Sequence, residues 1–212
     1  IRVLDMFDEL EKVHTDISFN FQLVSSAGGM HEGVKFVDDL KAINPCRPYG
    51  MLKQEQERVL KRDRTRDSYT IYRPASVYGY VGNEGRLGLV PTLFYNCHFN
   101  KVTTIYGNIN TLRDYVPCQD IGKYISDKIR YGVSAAEEPV KLLASGKPTS
   151  IFEIKNIVEK ITGKKVYLTF RDEGDNSSDI TFSPSVIPVE WQCTDIETGV
   201  RDVGRRLFEA VV

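Results

Sequence analysis

Phe21-Gln22-Leu23-Val24-Ser25-Ser26-Ala27-Gly28-Gly29 reads as a buried strand that empties into a tight loop. Phe19, Phe21, Leu23 and Val24 make an apolar, β-rich run, and small residues replace them abruptly from Ser25 onward. Upstream, Val3, Leu4, Phe7, Leu10 and Val13 recur at helical spacing, so Ile1 to about Val13 is expected to be an amphipathic helix. Downstream, a loop containing Pro45 and Pro48 leads to a second helix from Tyr49 to about Arg62. Ser68-Tyr69-Thr70-Ile71-Tyr72-Arg73 then reads as a second strand, stopped by Pro74. Helix, strand, helix, strand is the order that builds a parallel sheet with covering helices, the α/β class.

Beyond Gly79 the texture changes. Gly82, Gly85 and Gly88 mark a loop, Leu89–Phe99 a helix, Val102–Tyr106 a short strand and Gly107–Asn110 a turn. Asp120 is expected to cap a helix running to about Arg130. Val140–Ala144 reads as a strand, and Ser150 with Glu153 forms a capping box for a helix that Gly163 closes. Val166–Phe170 is a strand, Asp172–Asp179 a polar loop, and a last helix spans Asp195 to about Ala210.

Lys plus Arg total 28 and Asp plus Glu 29, leaving a formal net charge of -1 over 212 residues. That balance argues against bulk nucleic acid or an anionic membrane as the main partner. The basic cluster Lys61, Arg62, Arg64 and Arg66 is interleaved with Asp63 and Asp67 and lacks a stacking platform, so it reads as a solvated helix end. No apolar run reaches the ~18 residues of a membrane span. Cys46, Cys97, Cys118 and Cys193, and His14, His31 and His98, are too scattered for a zinc site or a disulfide framework. Reduced thiols in a cytoplasm are expected. The chain opens without Met, inside a helix and without an apolar leader, and so reads as cut at its N-terminus.

The chemistry concentrates at Tyr49-Gly50-Met51-Leu52-Lys53. Residues four apart on a helix share a face one turn apart. A free phenol, with a pKa near ~10, is a poor base at neutral pH. An ammonium ~4 Å away at an effective dielectric near 20 is worth about 4 kcal/mol, or roughly three pKa units, which brings a phenol into general-base range. With 11 tyrosines and many lysines, the same spacing also arises by chance.

The surrounding order carries more weight than the pair. A strand ending in Ser25-Ser26-Ala27-Gly28-Gly29 precedes it, and a strand ending in Arg73-Pro74-Ala75-Ser76-Val77-Tyr78-Gly79 follows it. Thr111-Leu112-Arg113-Asp114-Tyr115-Val116 then leads to Asp120-Ile121. Ser145-Gly146-Lys147-Pro148-Thr149-Ser150-Ile151-Phe152-Glu153-Ile154 follows, and later Trp191 with Thr194-Asp195-Ile196-Glu197-Thr198-Gly199-Val200. In this order the segments resemble the extended short-chain dehydrogenase/reductase family, the NAD-dependent epimerases and dehydratases of nucleotide sugars, over nearly the whole chain. The resemblance implies the C-terminal half of a Rossmann-like parallel sheet domain plus a smaller α/β substrate domain. The first would comprise residues 1–79 with 117–144 returning to it, and the second 80–116 and 145–212. The family's opening glycine loop, which holds the cofactor pyrophosphate on a helix N-terminus, has no counterpart here, so its N-terminal half is read as absent.

The resemblance further implies a nucleotide-diphosphate sugar as substrate, NAD or NADP as cofactor, a homodimer when intact, and no metal. Tyr49 would take a sugar hydroxyl proton, Lys53 would favour its deprotonated form and hold the nicotinamide ribose, and Ser26 would bond the same sugar oxygen. Register also allows Ala27 or Gly28 at that hydroxyl position, and Ser25 and Ser26 equally suit a strand-end turn. Tyr49, Lys53, Ser25 and Pro74 would contact the cofactor. Arg113 would grip the diphosphate, its other role being a pair with Asp114 or another acid. Arg171, in Phe170-Arg171-Asp172-Glu173-Gly174-Asp175, resembles a second phosphate-binding arginine. Ser76 stands where sugar epimerases often carry Asn. Glu32 is the only acid near the serine loop, which favours an epimerase over a dehydratase; a keto-sugar reductase and a non-catalytic remnant are the other readings.

Overall fold

The computed structural model describes residues 2–17, 19–65, 68–79, 88–132, 138–171 and 179–211. Helix α1 (Arg2–Val13) precedes strand β1 (Phe21–Val24), then come α2 (Ala27–Met30), β2 (Phe36–Val37), α3 (Pro48–Asp63), β3 (Tyr69–Pro74) and β4 (Ser76–Tyr78). The second half holds α4 (Leu89–His98), β5 (Val102–Tyr106), β6 (Leu112–Arg113), β7 (Tyr115–Pro117), α5 (Cys118–Tyr131) and β8 (Val140–Leu143). It ends with β9 (Thr149–Ser150), α6 (Ile151–Thr162), β10 (Tyr167–Arg171), β11 (Thr181–Phe182) and α7 (Ile196–Val211).

The longest buried strand is the organising one. All six residues of β3 are buried, because β1 and β8 flank it in parallel, in the order β1-β3-β8. Leu23 pairs with Ile71, and Ile71 in turn with Val140. On this sheet Leu4 of α1 and Leu60 of α3 pack with Tyr69 and Ile71, while Tyr72, Leu143, Ile121, Tyr124 and Trp191 form a second cluster. The largest cluster lies where α4, α6 and α7 meet, around Leu93, Phe94, Ile154, Val158, Val203 and Leu207, with Tyr78 of β4 and Tyr115 of β7 entering it. The fold is a mixed α/β arrangement whose ladders are parallel except for β6 with β9.

The expected helix ends have physical causes. Ser150 and Glu153 exchange both bonds of the capping box, and Gly163 closes α6 at φ +67. Asp195 accepts the N–H of Thr198 at 3.0 Å at the start of α7. Asp120 does not cap α5. That helix begins two residues earlier, after Pro117, and the Asp120 carboxylate instead accepts the Thr194 N–H at 2.6 Å and its hydroxyl at 3.1 Å. β3 does stop at Pro74, and after one residue the chain enters a separate strand, β4, paired with β7. The apolar face of α1 is shorter than its periodicity implies: Leu4 is buried and Phe7 stacks edge-on against Phe19 and Phe21, but Val13 is 74% exposed. Gly82 and Gly85 lie outside the described residues, and Gly88 stands at the start of α4.

Candidate active site

The end of β1 fixes the first wall of a cleft. Ser26 keeps extended backbone and caps α2, its Oγ accepting the Gly29 N–H at 3.1 Å. The serine run is thus a strand-end turn in form, and that turn exposes Ser26 to the cleft. A hydroxyl that accepts in this way still has its own hydrogen to donate. α2 and α3 then approach so closely that a Cβ on Gly50 would lie 2.3 Å from the Gly29 carbonyl oxygen. A Cβ on Gly29 would lie 3.2 Å from two ring carbons of Tyr49. The two glycines therefore set how near the Tyr49 ring comes to the serine turn.

The loop between these helices is held by polar contacts. Glu32 Oε2 accepts the N–H groups of Cys46 and Arg47 at 2.5 and 2.6 Å. The Asn44 N–H donates to the Met30 carbonyl at 2.7 Å, and His31 Nδ1 lies 3.0 Å from the Ala42 carbonyl. Burial lowers the His31 pKa, and the neighbouring Arg73 charge adds to this, so a neutral ring is favoured there. With the chain anchored up to Arg47, Pro48 opens α3 and Tyr49 follows one residue later.

The second wall comes from the ends of β3 and β6. Ala75 and Ser76 follow Pro74, and the Ser76 N–H donates to the Asp114 carbonyl at 2.8 Å. Arg113 sits on β6 and faces the cleft. Neighbours on a strand point to opposite sides. Asp114 accordingly turns away and is fully buried, its carboxylate accepting the N–H groups of Ser145 at 2.5 Å and Gly146 at 2.9 Å. Those bonds assign Asp114 to the turn after β8. Burial lowers the Arg113 pKa, Tyr115 and Asp179 oppose that, and the Arg47 guanidinium reinforces it. A guanidinium stays charged throughout.

The resulting cleft has a volume of about 320 Å³, in the range of small-molecule sites. Ser26, Gly28, Gly29 and Glu32 line it with Arg47 and Tyr49; Ala75, Ser76, Arg113, Ile180 and Phe182 close it. Four residues singled out from the sequence thus meet: Ser26, Tyr49, Ser76 and Arg113. Lys53 stands beside them without lining the cleft. Its Nζ lies 5.9 Å from the Tyr49 ring centroid and donates to the Val24 carbonyl at 3.0 Å. Ser25 and Pro74 are buried beneath, Ser25 donating its N–H to the Tyr72 carbonyl at 2.7 Å. Arg171 ends β10, exposed, and does not line the cleft; the residues after it lie outside the described ones. Arg47 also lines the cleft, although the sequence does not single it out. Its only signal was its position two residues before Tyr49. Among the described residues, no group of three His, Cys, Asp or Glu side chains is placed to hold a metal, and no helix is long and apolar enough to cross a membrane.

Known proteins share this architecture. A 4-epimerase of UDP-N-acetylglucosamine from Methanobrevibacter ruminantium, solved with UDP-N-acetylmuramic acid, superposes with a TM-score of 0.75 at 20% identity, over 99% of this chain and 68% of its own. A UDP-glucuronic acid 4-epimerase from Bacillus cereus, solved with UDP-glucuronic acid and NAD, gives 0.73 at 18% identity, over 90% and 62%. A curated Methanocaldococcus jannaschii protein, provisionally named a UDP-glucose 4-epimerase, is 26% identical over 168 residues, which are 77% of this chain and 53% of that protein. The chain thus spans about half the length of that relative. The model of the NAD dependent epimerase/dehydratase family matches residues 3–130, more than half of the sequence and the part that carries Ser26, Tyr49, Lys53 and Arg113, and this chain belongs to that family.

Proposed function

We propose that this chain supplies the substrate-facing part of an NAD-dependent nucleotide-sugar epimerase. The observation that carries the reading is the convergence of the Tyr49 phenol, the Ser26 hydroxyl and the Arg113 guanidinium on one cleft. A redox step at a sugar hydroxyl needs a base, a hydrogen-bond donor to the same oxygen and an anchor for the rest of the substrate.

The nicotinamide end of NAD fits the residues present. Lys53 carries an ammonium beside the Tyr49 ring, at the strand end where the sheet opens. Its remaining N–H groups suit a ribose hydroxyl. Ser25 and Pro74 would back the same region. The pyrophosphate end has no such fit: the lining glycines enter only the four-residue α2, not a long helix. NAD, once bound, would supply reversible hydride acceptance from the sugar carbon.

Tyr49 takes the hydroxyl proton as that carbon is oxidised, and gives it back to the same oxygen on reduction. Ser26 donates a hydrogen bond to this oxygen in both directions. Arg113 holds the diphosphate while the keto sugar turns its other face to the cofactor, and Ser76 contacts the sugar from the opposite wall. Arg171 would meet the second phosphate. We assign residues 1–79 and 117–144 to the dinucleotide-binding domain and the remainder to the substrate domain. The protein would work in the cytoplasm as a homodimer.

Glu32 favours epimerisation over dehydration. It is the only acid lining the cleft among the described residues, and one of its oxygens already holds two backbone N–H groups. The test is interconversion of UDP-glucose and UDP-galactose by the full-length protein with NAD. Tyr49→Phe should cut turnover by about a hundredfold or more, the scale for losing a general base. Unchanged turnover would reduce the Tyr/Lys spacing to a helical coincidence.

A further inference from the structure

Tyr49 is the second residue of a helix that has no local cap. Arg47 holds the cap position of α3, but its side chain does not bond the first turn, and Pro48 brings no N–H of its own. Uncapped first turns fray, and a phenol at the second helical position would fray with them. The order at Tyr49 therefore has to come from elsewhere in the chain.

It comes from the turn after β1. The Met30 carbonyl accepts the Asn44 N–H at 2.7 Å, and the Glu32 carbonyl accepts the Asn44 side-chain amide at 2.9 Å. With its backbone fixed in this way, Glu32 extends one carboxylate oxygen to the N–H groups of Cys46 and Arg47, at 2.5 and 2.6 Å. Bonds to an ionised acceptor are the short, strong kind. On the other side of Tyr49, Gly50 packs against the Gly29 carbonyl with no room for a Cβ. Tyr49 thus lies between two held points, Arg47 and Gly50. Both holds issue from residues 26–32, the same turn that carries Ser26 and ties its Oγ to the Gly29 N–H.

Resting on the epimerase reading above, we propose that Glu32 is a positioning residue: its carboxylate holds the entry of α3, and through it the Tyr49 phenol, at the distance from Ser26 that proton transfer requires. In this role Glu32 touches no reacting atom and exchanges no proton. What matters is an oxygen that accepts two backbone N–H groups, not acidity.

The experiment is a double-mutant cycle on the full-length protein with NAD, reading kcat for the interconversion of UDP-glucose and UDP-galactose. Glu32→Ala should lower kcat roughly ten- to a hundredfold, the scale of a misplacement of about 1 Å at a reacting group. Added to Tyr49→Phe, where the base is already gone, the same change should cost no more than about twofold, because both act through one group. Glu32→Gln keeps an oxygen able to accept both N–H groups without the charge, so it should lose only about three- to tenfold. It takes the place of alanine in the cycle if Glu32→Ala does not fold. Calorimetric affinity for UDP should stay within about twofold in every variant, since UDP does not reach Tyr49. An equal loss of rate with and without the Tyr49 phenol would make Glu32 a support of the whole cleft and overturns the proposal, as does a matching loss of UDP affinity. Glu32→Gln as slow as Glu32→Ala would make Glu32 an acid–base group and overturns it too. These three results leave the epimerase reading standing. Wild-type turnover in Tyr49→Phe alone, or no interconversion by the wild type, overturns that reading and the proposal with it.

Discussion

Arg73 of β3 and Glu57 of α3 form a two-bond ion pair with both side chains almost wholly buried, Nε and Nη2 donating to the two carboxylate oxygens at 2.9 and 2.7 Å. The third guanidinium nitrogen donates to the Leu40 carbonyl at 2.6 Å, and Lys61 reaches Glu57 at 3.1 Å. The pair therefore ties three pieces together: the central strand, the helix that carries Tyr49 and Lys53, and the loop leading to that helix. Its value is positional. Buried pairs return little net stability, but losing one member strands a charge.

Glu57→Gln should accordingly lower the unfolding free energy by about 3 kcal/mol, near the low end for breaking a buried pair. Replacing both members by Leu and Met should cost less than either single change. Burial pushes the Glu57 carboxyl up, but the bonds and charge of Arg73 hold it below the usual carboxylate range. The stabilisation is thus present above the unfolded-state pKa and is lost as pH falls through the folded one. Urea titrations of wild type, the two single variants and the double variant read this out. A Glu57→Gln change within about 1 kcal/mol of wild type would mean that the pair carries no positional load.

Gly50→Ala should destabilise by about 1–3 kcal/mol, the cost of overpacking, because its Cβ meets backbone at Gly29 and neither helix can yield locally. Gly29→Ala should behave differently. Its Cβ meets the half-exposed Tyr49 ring at 3.2 Å, which can swing aside, and the Gly50 Cα at 3.3 Å, a tight contact but a much smaller overlap than the one at Gly50. We expect near-native stability but reduced turnover, since the phenol moves away from Ser26. Melting and rate measurements on both variants separate the effects; equal loss of stability would refute the distinction.

Glu190 gives a pH signature on the far side of the sheet. Burial works to raise its pKa, but its own backbone N–H, the Tyr124 hydroxyl, Lys128 and Lys141 hold it at about 2. A carboxyl depressed on folding stabilises above its unfolded value and loses that contribution as pH falls toward the folded value. Glu190→Gln should therefore melt lower than wild type at pH 7, and the gap should close between about pH 4.5 and pH 2. The side chain is 45% exposed, so screening keeps the difference to no more than about 3 °C. A gap independent of pH would assign the effect to packing against Tyr124.

Much of this arrangement is legible in the chain because its signals are local. The capping pair Ser150 and Glu153, the apolar run before Ser25 and the four-residue spacing of Tyr49 and Lys53 each lie within one turn or one strand. What is not legible depends on distant segments. β2 pairs Phe36 and Val37 with Thr181 and Phe182, and two-residue strands have no period to read. Asp120 has the right type and place for a cap, yet tertiary contact with Thr194 outweighs that local preference. Arg47 enters the cleft only because Glu32, fifteen residues earlier, fixes its backbone.

On the reading proposed above, in which Arg113 grips a diphosphate, Arg113 offers the sharpest check. A charge-assisted hydrogen bond is worth ~1.5–3 kcal/mol, so Arg113→Ala should weaken binding of a UDP-sugar by roughly ten- to a hundredfold. The rate at saturation should change much less, because the diphosphate is held equally in ground and transition states. Arg113→Lys should restore only part, having the charge without the planar fork. Removing the diphosphate from the ligand removes the partner, so the free sugar should bind wild type and Arg113→Ala alike. Equal losses for UDP-sugar and free sugar would instead make Arg113 a support for the β6 turn, where the neighbouring Leu112 N–H already donates to Asp179 at 2.8 Å.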